Sequence, residues 1–335
     1  MRAVVLTKYG PPERLQVQQR EDPSAPGPHE VTVAIAATGV AFSELMARIG
    51  VYPPAPKPPC VLGTDIAGTV VEVGEQVDTL AVGDRVFGVT HYGGYAECVN
   101  THADNLRVLP ERLSFEQGAA IPVNYATAWL ATVSHGGLAF RPGARVLVHA
   151  AAGGVGIAAT QLAKRYGAEI WGTSSRAKHE QIRGFGVDHP IDYHDAGWER
   201  ALPKLDLVLD PLGAGSWRTS YRLLKADGRS INYGASSFAP DVRRSPVAFL
   251  KAAAGMRKIN PLKQMWDSKA VVGLMLPTIW DERETFGSLL EPLLGLIDDG
   301  TIMPVIDASF PLEQAPAAHR RLVERQNVGK VVLVP

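Results

Sequence analysis

Short apolar runs interrupted by proline and glycine fill the N-terminal part of the chain. Stretches 31–37, 67–73, 94–99 and 106–109 read as strands, and Gly83-Asp84-Arg85-Val86 as a turn entering another. Proline and glycine crowd 22–28, and proline recurs through 51–59. That texture predicts an all-β, barrel-like domain with long loops. From about residue 123 it changes. Strand patterns at 145–149, 169–173, 189–192, 205–210, 229–233 and 270–275 have helical spacing between most of them. Strands alternating with helices predict a parallel, doubly wound sheet. An amphipathic helix pattern at 284–299 follows, then 302–306, 312–325 and a last strand at 330–334, read as returning to the first domain. The predicted division is 1–122 with 278–335 for the barrel and 123–277 for the doubly wound unit. A chain of 335 residues is too long for one ordinary core, which agrees with two domains.

The most informative stretch is 146–156, Val-Leu-Val-His-Ala-Ala-Ala-Gly-Gly-Val-Gly. A β-prone run stops at a cluster of tiny residues. A helix then starts, with Val155, Ile157, Ala158, Leu162 and Ala163 on one face and Gln161 and Lys164 largely on the other. Strand, glycine turn, helix is the setting in which backbone N–H groups cradle a pyrophosphate. The plain alternative is a tight turn without a ligand. In NAD-binding folds an acid ends the second strand and holds the ribose 2′-hydroxyl. Here 171–178 reads Trp-Gly-Thr-Ser-Ser-Arg-Ala-Lys, with no acid, two hydroxyls (Ser174, Ser175) and two cations (Arg176, Lys178). Donors with positive charge suit a 2′-phosphate, so NADPH is favoured over NADH.

Composition removes other classes. Lys+Arg and Asp+Glu are 34 each, so nothing points to nucleic acid or an anionic membrane as the main partner. The two cysteines, Cys60 and Cys98, cannot build a disulfide framework or a multi-thiolate zinc site, and a cytoplasmic setting is expected. The first eight residues read as a strand rather than a signal peptide, and runs such as 270–275 are far too short for a membrane span.

Several stretches carry a family resemblance. They are Leu45-Met-Ala-Arg-Ile-Gly-Val-Tyr52, Gly83-Asp-Arg-Val86, Val123-Asn-Tyr-Ala-Thr-Ala128, the glycine turn, Lys178-His-Glu180, Gly186-Val-Asp-His-Pro-Ile-Asp-Tyr-His194, Leu209-Asp-Pro-Leu-Gly213 and Asn327-Val-Gly-Lys-Val-Val-Leu-Val-Pro335. With them the chain resembles the zinc-free quinone oxidoreductase group of medium-chain dehydrogenases/reductases, nearest the branch of the vesicle amine transport protein homologues. The resemblance implies an α/β architecture: a GroES-like β-barrel catalytic domain plus a Rossmann cofactor domain. It also implies a homodimer formed by edge-to-edge pairing of the strand at about 271–275.

Carried over residue by residue, the resemblance puts cofactor contacts on Ala152, Gly153, Gly154, Val155 and Gly156, on Ser174, Ser175 and Lys178, and on Tyr193. Asn124 and Thr127 fall where relatives approach the nicotinamide and phosphates. Pro211, Leu212, Gly234 and Ala235 lie at the sheet's C-terminal edge, where ligands bind. Asn327 and Gly329 match a contact near the chain end. Tyr193 also reads as a half-buried strand-end aromatic, and Asn124 as a helix-start cap.

No metal is expected. Zinc-dependent relatives carry a Cys ligand and a Gly-His-Glu motif, whereas 38–43 reads Thr-Gly-Val-Ala-Phe-Ser and 62–66 reads Leu-Gly-Thr-Asp-Ile. A metal-free site suits a conjugated acceptor, a quinone or an α,β-unsaturated carbonyl. Tyr52 is the candidate proton donor at the acceptor, its alternative being a loop aromatic packed on 53–59. Glu44 is the second catalytic candidate, its alternative being a solvated helix-start carboxylate. Tyr125 reads as structural. Ala41 stands where relatives often have Asn, which removes an amide. The stretch 248–263, apolar with basic punctuation, reads as helical cover or dimer contact. The leading reading is an NADPH-dependent quinone or enone reductase. The alternatives are a pathway-specific enoyl reductase and a non-catalytic NADPH-binding scaffold or trafficking protein.

Overall fold

The computed structural model describes residues 1–236, 260–282 and 286–335. Most of 248–263, and the first residues of the helix pattern at 284–299, lie outside the described residues. Two compact units divide the chain. The first gathers Met1–Ala126, Pro277–Gly295 and Pro304–Pro335; the second gathers Thr127–Leu276 and Leu296–Met303.

The first unit is built mainly on antiparallel pairing, with Ile306–Pro311 and Lys330–Val334 parallel. In its larger sheet the strands run Ile306–Pro311, Lys330–Val334, Glu30–Val40, Asp65–Val73, Arg85–Val89, Leu106–Val108, with Cys98–His102 also paired to Glu30–Val40. A smaller sheet sets Arg2–Leu6 between Leu15–Gln19 and Cys60–Val61. One apolar core packs Val4, Leu6, Leu45, Leu62, Tyr95, Leu312 and Leu333 together. Strand Cys98–His102 starts later than the pattern at 94–99 suggests. The physical reason is that Gly94, Tyr95 and Ala96 spend their backbone groups elsewhere. Gly94 and Tyr95 donate to the Gly63 and Leu62 carbonyls, Tyr95 accepts from the Val4 N–H, and Ala96 bridges Ala3.

The second unit is a six-stranded parallel sheet in the order His189–Asp192, Glu169–Ser174, Arg145–Val148, Leu205–Asp210, Leu224–Asn232, Ala270–Gly273. This is the doubly wound order with its switch point beside the first strand. Every residue of Leu205–Asp210 is buried, as a central parallel strand covered on both faces requires. The run at 302–306 is not a strand throughout. The Ile302 N–H donates to the Leu296 carbonyl and the Met303 N–H to Gln161, so pairing starts only at Ile306. The chain is therefore α/β, a GroES-like antiparallel unit plus a Rossmann unit.

Candidate functional site

The glycine turn ends strand Arg145–Val148 and opens helix Gly154–Arg165. The first bond into that helix runs from the Ile157 N–H to the Gly153 carbonyl at 2.9 Å, so the N–H groups of Gly154, Val155 and Gly156 precede the ladder. They are the donors a pyrophosphate needs at a positive helix end. Gly156 must be glycine because a Cβ there would collide with the Ala150 carbonyl oxygen and fall 2.8 Å from Ala151 Cα. Ala152 is buried at the turn, while Gly153 and Val155 are half-buried. These features fit a dinucleotide cradle.

Beneath the turn lies a support that the motif alone does not reveal. Ala150 takes the left-handed φ of 53°, uncommon for a residue with a side chain. Its N–H donates to Thr173 Oγ1 at 3.2 Å, and that hydroxyl lies 3.3 Å from His149 Nδ1. The Thr173 hydroxyl thus ties the strained backbone at Ala150 to the ring of His149. Burial lowers the His149 pKa and keeps the ring neutral. Trp198 stands edge-to-face with it at 5.8 Å.

The end of the second strand brings four predicted residues together. Ser174 is buried and pairs in register with Asp192; its carbonyl accepts the Tyr193 N–H at 3.4 Å. Ser175 and Lys178 are half-buried, and Tyr193 is 39% exposed with its ring 4.2 Å from that of His194. Arg176 pairs with acids. Its guanidinium donates to both Asp195 oxygens at 2.9 and 3.1 Å and lies 3.5 Å from Asp192. Carboxylates thus reach this corner from the third strand and the loop after it, although the C-terminal end of the second strand has none. Hydrogen bonds from the His194 backbone and ring hold the Asp192 carboxyl below its usual range.

At the next strand end, Asp210 organises a second predicted group. Fully buried, it accepts from the Leu212 N–H at 2.9 Å, Ser216 Oγ at 2.8 Å and Ser220 Oγ at 2.6 Å. Its carbonyl accepts the Tyr233 N–H, and the Ser236 N–H donates to Pro211. Pro211, Leu212, Gly234 and Ala235 are thereby gathered at the sheet's C-terminal edge. The sequence signal for Asp210 is a strand-ending acid followed by Ser216 and Ser220.

The other candidates lie in the first unit, except Thr127, which opens the second. Asn124 is buried inside helix Pro122–Trp129 and donates to the Ala120 carbonyl at 3.0 Å, so its amide does not cap the helix start. Thr127 is buried on the same helix, and Tyr125 is core. Asn327 donates to the Gly329 carbonyl at 3.0 Å in the turn before the last strand. Tyr52 is half-buried against the core with Tyr92, and burial, then the Glu44 charge, pushes its phenol up to about 12.

Glu44 differs most from its bland reading, for it is buried rather than solvated, with 1% exposure. It sits on helix Phe42–Arg48, where its Oε2 accepts the Ala41 N–H at 2.7 Å, half of a capping box. Among the described residues its Oε1 has no hydrogen-bond partner. Burial outweighs the opposing Lys330 charge and, with a smaller push from Asp65, raises its pKa to about 7. Asp65 and Lys330 are themselves buried and paired, and Asp65 Oδ1 accepts the Val123 N–H at 2.9 Å. Sequence reading missed this pair because its members lie at opposite ends of the chain.

Among the described residues no three His, Cys, Asp or Glu side chains come together as metal ligands, and no helix is long and apolar enough to cross a membrane. Residues 27–111 match the family profile of the alcohol dehydrogenase GroES-like domain, and 185–333 that of the zinc-binding dehydrogenases. The synaptic vesicle membrane protein VAT-1 homolog of Rattus norvegicus is 37% identical over 342 residues, spanning 100% of this chain and 84% of the relative. The crystal structure of Escherichia coli quinone oxidoreductase complexed with NADPH superposes with a TM-score of 0.85 at 29% identity, over 100% of both chains. The structure of CurK enoyl reductase gives a TM-score of 0.83 at 26% identity, over 99% of this chain and 98% of that one.

Proposed function

Because the chain belongs to the medium-chain dehydrogenases/reductases, in their quinone oxidoreductase-like group, we propose that it is an NADPH-dependent, metal-independent reductase of quinones or α,β-unsaturated carbonyls. The observation that carries the coenzyme choice is the acid-free end of the second Rossmann strand. There Ser174, Ser175, Lys178 and Tyr193 gather in one corner. The E. coli relative, solved with NADPH, supports the same choice.

A bound NADPH supplies hydride to an electron-poor acceptor. The chain's part is to bind, orient and protonate. In this reading the N–H groups of Gly154, Val155 and Gly156 hold the pyrophosphate, with Ala152 and Gly153 shaping the turn. Ser174, Ser175 and Lys178 take the 2′-phosphate, and Tyr193 flanks the adenosine. Asn124, Thr127, Pro211, Leu212, Gly234, Ala235, Asn327 and Gly329 complete the coenzyme contacts. Tyr52 donates a proton to the acceptor oxygen. The outer edge of strand Ala270–Gly273 pairs two copies into a dimer.

The test is coenzyme selectivity. Lys178→Glu raises the KM for NADPH by about tenfold or more and that for NADH by about twofold at most, since only the former loses a charge-assisted contact. Equal effects overturn the phosphate assignment. The CurK neighbour favours a second reading, a dedicated enoyl reductase. Across a panel of quinones and enones, turnover confined to one thioester supports that reading, and tight NADPH binding without any turnover overturns both.

A further inference from the structure

Among the described residues of the first unit, Glu44, Asp65 and Lys330 form a buried set with two carboxyls and one ammonium. Their exposures are 1%, 1% and 3%. Lys330 bonds Asp65 Oδ2, while Asp65 Oδ1 takes the Val123 N–H. Lys330 reaches Asp65 across Gly39, where a Cβ would collide with the lysine side chain and fall 2.7 Å from the Ala119 carbonyl oxygen. The cation is therefore committed to Asp65. Glu44 keeps one oxygen bonded to Ala41 and the other, Oε1, buried with no partner among the described residues. A buried carboxylate oxygen left bare costs free energy, and a proton on the carboxyl removes the charge that makes it costly.

The groups around Glu44 are Asp65 and Lys330 from the large sheet and Tyr52, Tyr92 and Tyr95 from the loops. Arg48 lies on its own helix, and His319 lies behind Tyr95. All three tyrosines feel the Glu44 charge, which opposes phenolate formation at each. We propose that Glu44, biased by the buried Asp65–Lys330 pair, is a positioning residue whose single proton sets how readily Tyr52 donates to the acceptor oxygen. The inference rests on Tyr52 being that donor. In the step, the Tyr52 O–H bond breaks and the acceptor O–H bond forms, with the hydride supplied by NADPH. Water then returns a proton to the phenolate. A neutral Glu44 favours the transient phenolate, and an ionised one disfavours it. Donation therefore weakens as pH rises through about 7.

Infrared difference spectra of the coenzyme-free protein between about pH 6 and pH 8 read the Glu44 proton directly, around its pKa of about 7. A protonated-carboxyl band titrates in wild type and is absent in Glu44→Gln, which keeps an oxygen for the Ala41 N–H. Asp65→Asn moves the midpoint down by about one unit, because a repelling charge is gone. No titrating band, or one that persists in Glu44→Gln, overturns the inference, as does an unmoved midpoint in Asp65→Asn. With NADPH and an enone, wild-type kcat falls toward about tenfold per pH unit above the midpoint, and Glu44→Gln removes that dependence. If the band behaves as stated while kcat ignores both Glu44→Gln and Tyr52→Phe, the coupling to Tyr52 is overturned. Lys178 selectivity then still tests the reductase reading separately.

Discussion

The two units handle charge in opposite ways. At the Rossmann edge the cation stays near solvent and is cancelled locally, Arg176 pairing with Asp195 and Asp192, and the buried Asp210 is satisfied by neutral donors, the Leu212 N–H and two serine hydroxyls. The groups offered to an anion are mostly backbone N–H donors of one helix end, fixed dipoles that need no ionisation. In the antiparallel unit three ionisable groups are buried together with too few cations. An exposed pair is screened and worth little, whereas a buried one cannot lose a member cheaply. The first arrangement suits a binding edge that works across a wide pH range. The second suits a site whose protonation state matters.

The largest expected effect breaks the buried side of this contrast. Lys330→Met leaves Asp65 buried and unpaired, so urea unfolding registers a loss of about 3–5 kcal/mol. Adding Asp65→Asn recovers part of it, and no recovery means the pair is not the cause. Next is the neutral buried histidine of the same unit. Burial holds His319, bonded to the Tyr95 hydroxyl at 3.2 Å, down at about 3. A depressed folded pKa means stability is present above the unfolded value of 6.5 and drains as pH falls toward about 3. The slope due to this group is at most about 1.4 kcal/mol per pH unit. His319→Gln flattens that limb in pH-dependent denaturation, and an unchanged limb assigns the acid sensitivity elsewhere. The smallest effect belongs to the Rossmann edge: Arg176→Ala leaves the melting temperature unresolvably changed and raises the KM for NADPH by about twofold at most, because Asp195 and Asp192 already neutralise it. A tenfold rise would make Arg176 a phosphate ligand and reverse the ranking with Lys178.

The glycine turn could be read from 146–156 because strand, turn and helix are contiguous there, and their periods differ over a few residues. The same holds for the six parallel strands, whose apolar runs are bounded by turn residues. Strand Cys98–His102 was misplaced by a few residues because Tyr95 and Ala96 bond across to Leu62, Val4 and Ala3, which periodicity cannot register. The stretch 171–178 carries no acid as a string, yet Asp192 and Asp195 return carboxylates to that corner through the fold.

Local order therefore determined the elements, the α/β alternation and the anion-binding turn, since each depends on neighbours within one helical turn or one strand. Only the tertiary structure decided which charges are buried and with whom. Glu44 passes for a solvated helix-start acid until Asp65 and Lys330, 265 positions apart, close over it. Whether a carboxyl keeps its proton depends on the water removed around it and the charges brought near, and both are set by distant parts of the chain meeting.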